Sequence, residues 1–153
     1  MEDESSGRLL SDYFASRAST FPASMGEYRL ALPTASDFVP PRGVFLLVEH
    51  EGADVGCGGI RLVPTAAGVT RFEVKHLWTD PSVRGRGLGR LLLQELEARA
   101  VAFGASELVL DTNATQVAAS NLYRASGYAE IPPYNDNPNA THWFAKNLAT
   151  GLE

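Results

Sequence analysis

The pattern of apolar and polar residues in the first half of the chain predicts one helix followed by antiparallel strands. LLSDYFASRA (9–18) has apolar residues at helical spacing and predicts a short amphipathic helix. VFLLVEH (44–50) and VGCGGIRLV (55–63) flank a short turn that contains glycine, which predicts a β-hairpin. RFEVKHLWT (71–79) is rich in aromatic and β-branched residues and predicts a further strand.

The second half of the chain alternates between helical and extended patterns. Leucines, alanines and a phenylalanine recur at helical spacing over 88–103, and ELVLD (107–111) predicts a short strand. Thr115 is the expected N-cap of a second helix, and YAEI (128–131) and THWFAKNL (141–148) predict two closing strands. This order of elements predicts an α/β fold of the α+β type, a mixed sheet with helices packed on it.

Length and composition indicate one folded domain over residues 1–153. Hydrophobic residues make up 44% and charged residues 20% of the chain, both ordinary values for a globular protein. The acidic segment 1–7 is expected to be flexible at the N-terminus. The segment 19–42 has no clear period, although EYRLAL (27–32) is compatible with a strand.

Charge and cysteine content restrict the classes of function. The net charge of -5 argues against a nucleic-acid surface, which needs a basic face. Cys57 is the single cysteine, and the three histidines lack a metal-ligand spacing, so we expect no disulfide and no metal. Neither a signal peptide nor an apolar run long enough to span a bilayer is evident. We therefore expect a cytoplasmic protein that does not bind membranes.

The stretch VRGRGLGR (83–90) places three glycines and three arginines directly before an apolar helix. Unpaired N–H groups and the helix dipole attract anions at a helix N-terminus, and glycines allow phosphate oxygens to approach the backbone. The stretch is not a Walker A loop, and a dinucleotide fingerprint would need its last glycine at Arg90. Arg84, Gly87 and Gly89 do fit Arg-x-x-Gly-x-Gly. Taken alone, the motif is almost equally compatible with a basic surface loop.

The segments around this stretch resemble, as an ordered set, the GCN5-related N-acetyltransferase (GNAT) superfamily. The set comprises FEVKHLWTDPSVRGRGLGRLLLQELEARAVAFG, ELVLDTN and ASNLYRASGYAEI, and the resemblance covers roughly two-thirds of the chain. It implies a GNAT-like, mostly antiparallel central sheet flanked by helices. It also implies an N-acetyltransferase that moves the acetyl group of acetyl-CoA to a primary amine by direct attack in a ternary complex.

The resemblance also implies which positions bind the cofactor. In the family, the glycine turn binds the pyrophosphate of acetyl-CoA through backbone N–H groups. The splayed end of the preceding strand bonds the pantetheine arm, and a helix asparagine contacts the same arm. The matching positions here are Leu77, Trp78, Thr79, Arg84, Gly85, Arg86, Gly87, Leu88, Gly89 and Asn121.

Two catalytic side chains follow from the same resemblance. Histone-acetylating members use a strand glutamate to accept the amine proton, directly or through water, and Glu73 has the matching position eleven residues before Arg84. Family members use a helix tyrosine to protonate the leaving thiolate, which corresponds to Tyr123. The alternative for Glu73 is an ion pair on a solvated strand face, either with Lys75 or across to a neighbouring strand. The alternative for Tyr123 is core packing.

Simple alternation along the predicted strand 71–79 makes a further prediction. Alternate side chains share a face, so Glu73, Lys75, Leu77 and Thr79 are expected on one face and His76 on the other.

The sequence does not identify the acceptor, which could be a small-molecule or a peptide amine. Tyr134 or Asn135, in the loop before the last strand, could contact it. A homodimer would be usual for the family. Cys57 lies outside the motifs, which argues against an acyl-enzyme. The alternative function is a non-catalytic acyl-CoA-binding sensor or regulatory module.

Overall fold

A computed structural model describes residues 1–148, and all of its strands belong to one six-stranded sheet. No helix in this part of the chain is long and apolar enough to cross a bilayer. In chain order the elements are α1 (Glu4–Thr20), β1 (Gly43–His50), β2 (Ala53–Val63), β3 (Arg71–Thr79), α2 (Leu88–Ala102), β4 (Glu107–Thr112), α3 (Val117–Ala125), β5 (Ala129–Ile131) and β6 (His142–Asn147).

The strand order β1-β2-β3-β4-β6-β5 gives a mixed, mostly antiparallel sheet, as the sequence predicts. Neighbouring strands are antiparallel except β3 and β4. These two parallel strands pair over three positions, from Arg71 with Glu107 to Glu73 with Val109. Beyond Glu73 the two strands separate, and a cleft opens between the end of β3 and the end of β4.

Helices cover both faces of the sheet. The α2 face is packed by the buried residues Leu92, Leu93 and Leu96, which belong to the main hydrophobic cluster. On the opposite face, Leu9 of α1 packs with Cys57 and a second small cluster. A fully buried leucine contributes roughly 1.5–3 kcal/mol, so both helices are held chiefly by apolar burial.

Two expectations about helix starts are wrong, each because of a hydrogen bond. The helix α1 begins at Glu4 instead of after residue 7, because the Asp3 side chain accepts a hydrogen bond from the Ser6 amide at 3.0 Å and caps the helix. Thr115 is not the cap of α3, since its amide and hydroxyl donate to Asn113 Oδ1. The segment 27–32 forms no strand.

A bulge in β3 overturns the predicted alternation. Two residues of β3, His76 and Leu77, lie opposite the single residue Gly58 of β2, and His76 has a positive φ of 58°. As a result, Leu77 packs in the α2-side core. The His76 ring contacts Tyr13 of α1 and lines the same pocket as Lys75, so His76 and Lys75 lie on one side of the sheet.

Candidate active site

Two pockets meet where β3 and β4 separate. The loop pocket, of about 500 Å³, lies between the end of β3, the glycine stretch and α3. The inner pocket, of about 390 Å³, lies between α1, the segment 21–32, the two diverging strands and the loop before β6. Arg17, Thr115 and Gln116 line both pockets, so the two adjoin. Both volumes fall within the usual range for small-molecule sites.

The glycine stretch forms one wall of the loop pocket. Gly85 and Gly87 have φ values of 83° and 78°, in the left-handed region that favours glycine. Within the described chain, the amides of residues 85–89 donate no hydrogen bond to a carbonyl. Arg84 Nε donates to the Thr79 carbonyl at 3.1 Å, which ties the stretch to the end of β3. Free amides at the start of α2 make this wall suitable for a phosphate-bearing anion.

Eight of the ten predicted cofactor positions line the loop pocket: Leu77, Trp78, Thr79, Arg84, Gly85, Gly87, Leu88 and Gly89. The side chains of Arg86 and Asn121 are exposed and line neither pocket. Sequence reasoning missed the small residues at the start of α3 and the C-terminal turns of α1, which complete this wall. The apolar run at 117–119 could have indicated that the start of α3 lines a pocket. Nothing in the sequence indicated that α1 lines the same pocket.

Glu73 lies beside the inner pocket but is not part of its wall. The residue is 1% exposed. Its Oε1 accepts from Arg61 Nη2 at 2.8 Å, and its Oε2 accepts from the Tyr134 hydroxyl at 2.6 Å. Asn135 Nδ2 adds a longer contact of 3.4 Å to Oε2. Both carboxylate oxygens are therefore already engaged.

A second buried carboxylate, Asp111, lines the inner pocket itself. Its Oδ1 lies 3.1 Å from Lys75 Nζ, and its Oδ2 accepts from Asn135 Nδ2 at 2.7 Å. Burial favours a raised pKa for Asp111, but Lys75 and the amide hydrogen bonds outweigh it and lower the pKa. Trp143 Nε1 donates to Asn135 Oδ1 at 2.8 Å and fixes the amide. Sequence reasoning missed Asp111 because its partners are distant in sequence: Lys75 lies on β3 and Asn135 in the loop before β6.

Tyr123 is buried in the core and lines neither pocket. It is 4% exposed, and its ring centroid lies 6.0 Å from that of Tyr128 and 6.0 Å from that of Phe144. Burial raises the pKa of Tyr123 to about 12, although the charge of Arg17 acts in the opposite direction. The hydroxyl is therefore protonated at neutral pH.

Two further reactive side chains on this side of the sheet are held neutral. The Cys57 thiol is buried and contacts the His76 carbonyl at 3.4 Å, and burial raises its pKa to about 12. Burial, with Lys75 and Arg61, lowers the pKa of His76 to about 3, and its Nδ1 has no hydrogen-bond partner within residues 1–148. No group of three or more His, Cys, Asp or Glu side chains in the same residues is arranged to hold a metal ion.

Two known proteins of similar sequence or fold are assigned as transferases of acetyl or acyl groups. An IAA acetyltransferase from Azospirillum brasilense is 39% identical over 90 residues, a match that covers 59% of this chain and 57% of that relative. A structure from Klebsiella pneumoniae assigned as an acyl-CoA N-acyltransferase has a TM-score of 0.72 at 30% identity, covering 96% of this chain and 92% of the other.

A more distant structure carries a ligand. PaiA N-acetyltransferase from Thermoplasma acidophilum, solved in complex with coenzyme A, has a TM-score of 0.57 at 17% identity. The match covers 69% of this chain and 61% of that one and shows a likeness of fold alone. Residues 8–128 match the Acetyltransferase (GNAT) family. With this match over most of its length, the chain belongs to the GNAT family of acetyltransferases.

Proposed function

We propose that the protein transfers the acetyl group of acetyl-CoA to a primary amine by direct attack in a ternary complex. The observation that carries the proposal is the pair of adjoining pockets, one with an anion-binding glycine wall and one with charged and aromatic walls. Family membership supports acetyl transfer, and the coenzyme A bound by the Thermoplasma protein supports the choice of cofactor.

Acetyl-CoA is proposed to occupy the loop pocket with its pyrophosphate at the amides of residues 85–89. The pantetheine arm would follow the end of β3 (77–79), where β4 has turned away and the strand edge is free of that partner. This path leads the thioester toward Arg17, Thr115 and Gln116, at the opening into the inner pocket. The amine would approach from the inner pocket.

In the proposed reaction, the amine nitrogen forms a bond to the thioester carbon and the carbon–sulfur bond breaks. The electron pair of that bond leaves with sulfur, the nitrogen loses a proton and the sulfur gains one. Tyr123 is the proposed donor to sulfur. Glu73 is the proposed proton acceptor, with Tyr134 as the link: its hydroxyl would pass a proton to Glu73 Oε2 while it takes one from the amine, directly or through water.

The second candidate function is a non-catalytic acyl-CoA-binding module. The observation that favours it is that both oxygens of Glu73 are engaged and the Tyr123 ring is packed in the core. Acetyl-CoA incubated with a panel of primary amines separates the two functions. The enzyme releases free thiol in an amine-dependent manner, whereas a binding module holds acetyl-CoA without amine-dependent release.

A matched pair of glycine variants tests the cofactor site. Gly87→Glu adds a negative charge where the pyrophosphate is proposed to lie, so calorimetry is expected to show loss of CoA binding and no amine-dependent thiol release. Gly68→Glu is the control, because Gly68 has a similar positive φ of 84° and an added Cβ atom meets nothing within 4 Å at either position. A residue with a Cβ atom is destabilised by roughly 1–2 kcal/mol in the left-handed conformation, and this applies to both variants. Unchanged CoA binding by Gly87→Glu would remove the glycine stretch from the site.

A further inference from the structure

The inner pocket is lined by more positive than negative side chains. Among residues 1–148, four cationic side chains line it, against one carboxylate, Asp111. Two of the cations are neutralised in place. Arg61 is paired with Glu73 at 2.8 Å, and Lys75 lies 3.1 Å from Asp111. A further carboxylate, Asp37, lies 4.0 Å from Arg61 on the outer side.

The remaining two cations, Arg17 and Arg29, form no salt bridge in the described chain. Arg17 is held over the Tyr13 ring, with the guanidinium carbon 4.9 Å from the ring centroid. The main chain of Arg29 is anchored to the Asn139 side chain by two hydrogen bonds, of 3.0 and 2.7 Å. The pocket therefore presents positive charge that no salt bridge within residues 1–148 neutralises.

Arg17 also has a special location, because it lines both pockets. An anion bound to its guanidinium would lie at the junction, beside the proposed thioester. Arginine binds carboxylates through two parallel hydrogen bonds, which orients the ligand as well as attracting it. A group attached close to that carboxylate would thus be held near the reacting carbon.

The rest of the wall is rich in aromatic rings. Tyr13 and Phe14 of α1 line the pocket, as do Phe21 and Tyr28, whose ring centroids are 5.6 Å apart. Aromatic walls favour an apolar or aromatic group on the ligand. The polyamines and other polycationic amines do not suit a pocket with this charge.

We propose that the acceptor is an amine that also carries a carboxylate and an apolar or aromatic side chain, as an aromatic α-amino acid does, and that Arg17 binds the carboxylate. This inference rests on the proposed acetyl transfer and names its substrate class. In an α-amino acid one carbon separates the amine from the carboxylate, so an Arg17-bound carboxylate brings the nitrogen to the thioester. The nitrogen then replaces sulfur on the acetyl carbon and the CoA thiol is released.

The test compares phenylalanine, phenylalaninamide and 2-phenylethylamine, which share one aromatic group and differ in the carboxylate. Free thiol is measured with acetyl-CoA and each amine, for the parent protein, Arg17→Gln and the control Arg99→Gln. Arg99 lies on the exposed side of α2, paired with Glu95. Phenylalanine is expected to have a kcat/KM roughly 10- to 100-fold above that of the other two amines. This ratio corresponds to the free energy of one hydrogen bond between charged groups. Arg17→Gln is expected to remove that preference, and Arg99→Gln to keep it.

The outcomes separate this inference from the proposed function. If amines are acetylated but phenylalaninamide, 2-phenylethylamine or spermidine is preferred, the carboxylate inference is wrong and acetyl transfer stands. If Arg17→Gln weakens acetyl-CoA binding and leaves the preference among amines intact, Arg17 belongs to the cofactor site and the inference is wrong. If no amine is acetylated while calorimetry shows that the CoA complex binds phenylalanine over 2-phenylethylamine, the carboxylate site stands and the proposed transfer fails.

Discussion

At the scale of single residues, the contacts of Glu73 restrict how it can take up a proton. A base needs a free lone pair directed at the proton, and both oxygens of this carboxylate already accept hydrogen bonds. The Tyr134 hydroxyl, 2.6 Å from Oε2, gives the shortest connection between the carboxylate and its surroundings. Burial and the Glu73 carboxylate raise the pKa of Tyr134, so this hydroxyl stays protonated and serves as a donor.

Removal of the Tyr134 hydroxyl tests this connection. Tyr134→Phe is expected to lower kcat by roughly 10²-fold if the hydroxyl carries the proton to Glu73, with the acetyl-CoA dissociation constant unchanged. Tyr128→Phe is the matched control, because it removes a hydroxyl that donates to Glu97 at 2.8 Å on another part of the fold. Steady-state kinetics at neutral pH gives the comparison. Equal kcat values for the two variants would show that the proton takes another route.

The elevated pKa of Tyr123 bears on its proposed role as a proton donor. A free thiol has a pKa near 8.5, so transfer from a tyrosine with a pKa of about 12 is uphill by roughly 5 kcal/mol. Proton donation by Tyr123 would then accelerate the reaction most when the sulfur is a poor leaving group. The nearby positive charge of Arg17 opposes the effect of burial and makes the transfer less unfavourable.

The leaving-group dependence of Tyr123→Phe tests the donor role. With acetyl-CoA, the variant is expected to lose roughly 10²-fold in rate while the cofactor still binds. With an acetyl donor whose thiol is more acidic, the deficit is expected to shrink because that thiolate leaves without protonation. The parent-to-variant rate ratio is measured with both donors. A ratio that does not change between donors would leave Tyr123 as a packing residue.

At the scale of secondary structure, the bulge in β3 places an imidazole in an apolar environment. The His76 ring packs against Tyr13 and Phe14 of α1, and Lys75, Arg61 and Arg17 add positive charge nearby while Asp111 opposes it. Protonation of this ring in the folded state is therefore costly, and the ring is neutral in the fold. Strand alternation alone could not predict the bulge, because the extra residue is specified by packing on both faces of the sheet.

The buried imidazole makes folding stability dependent on pH. The pKa of His76 is about 6.5 when unfolded and about 3 when folded, so its neutral form stabilises the fold above pH 6.5. This contribution, up to about 5 kcal/mol, is lost as the pH falls from 6.5 toward 3. The free energy of unfolding is measured in urea at several pH values. As the pH is lowered from 6.5 toward 3, we expect it to fall less steeply for His76→Gln than for the parent.

The quantity to compare is the slope of the free energy of unfolding against pH. The absolute free energy is not compared, since the substitution itself alters packing. His50→Gln, at the exposed end of the β1–β2 hairpin, controls for the loss of one imidazole. Parallel pH dependences for the parent and His76→Gln would contradict the assignment of a neutral, buried ring.

At the scale of the whole molecule, the sequence predicts the parts that depend on local patterns. The hairpin 44–63, the strand 71–79 and the helix that follows the glycine stretch are confirmed, since period and turn residues are local properties. The charged network of the inner pocket could not be predicted. Arg61, Glu73 and Asp111 come from three different strands, and only the strand order brings their side chains together.

The location of α1 has a consequence for how relatives of this protein could differ in the proposed acceptor. Residues 4–32 supply Tyr13, Phe14, Phe21 and Tyr28 of the inner pocket, together with Arg17 and Arg29. The glycine wall of the loop pocket comes from residues 83–90. In the proposed arrangement, changes at Tyr13, Phe14 and the segment 21–32, which line the inner pocket and not the loop pocket, would alter acceptor choice and leave the glycine wall as it is. Ser16, Arg17 and Thr20 of α1 also line the loop pocket, so an exchange of the N-terminal segment between relatives would have to keep these three positions to preserve the proposed cofactor site.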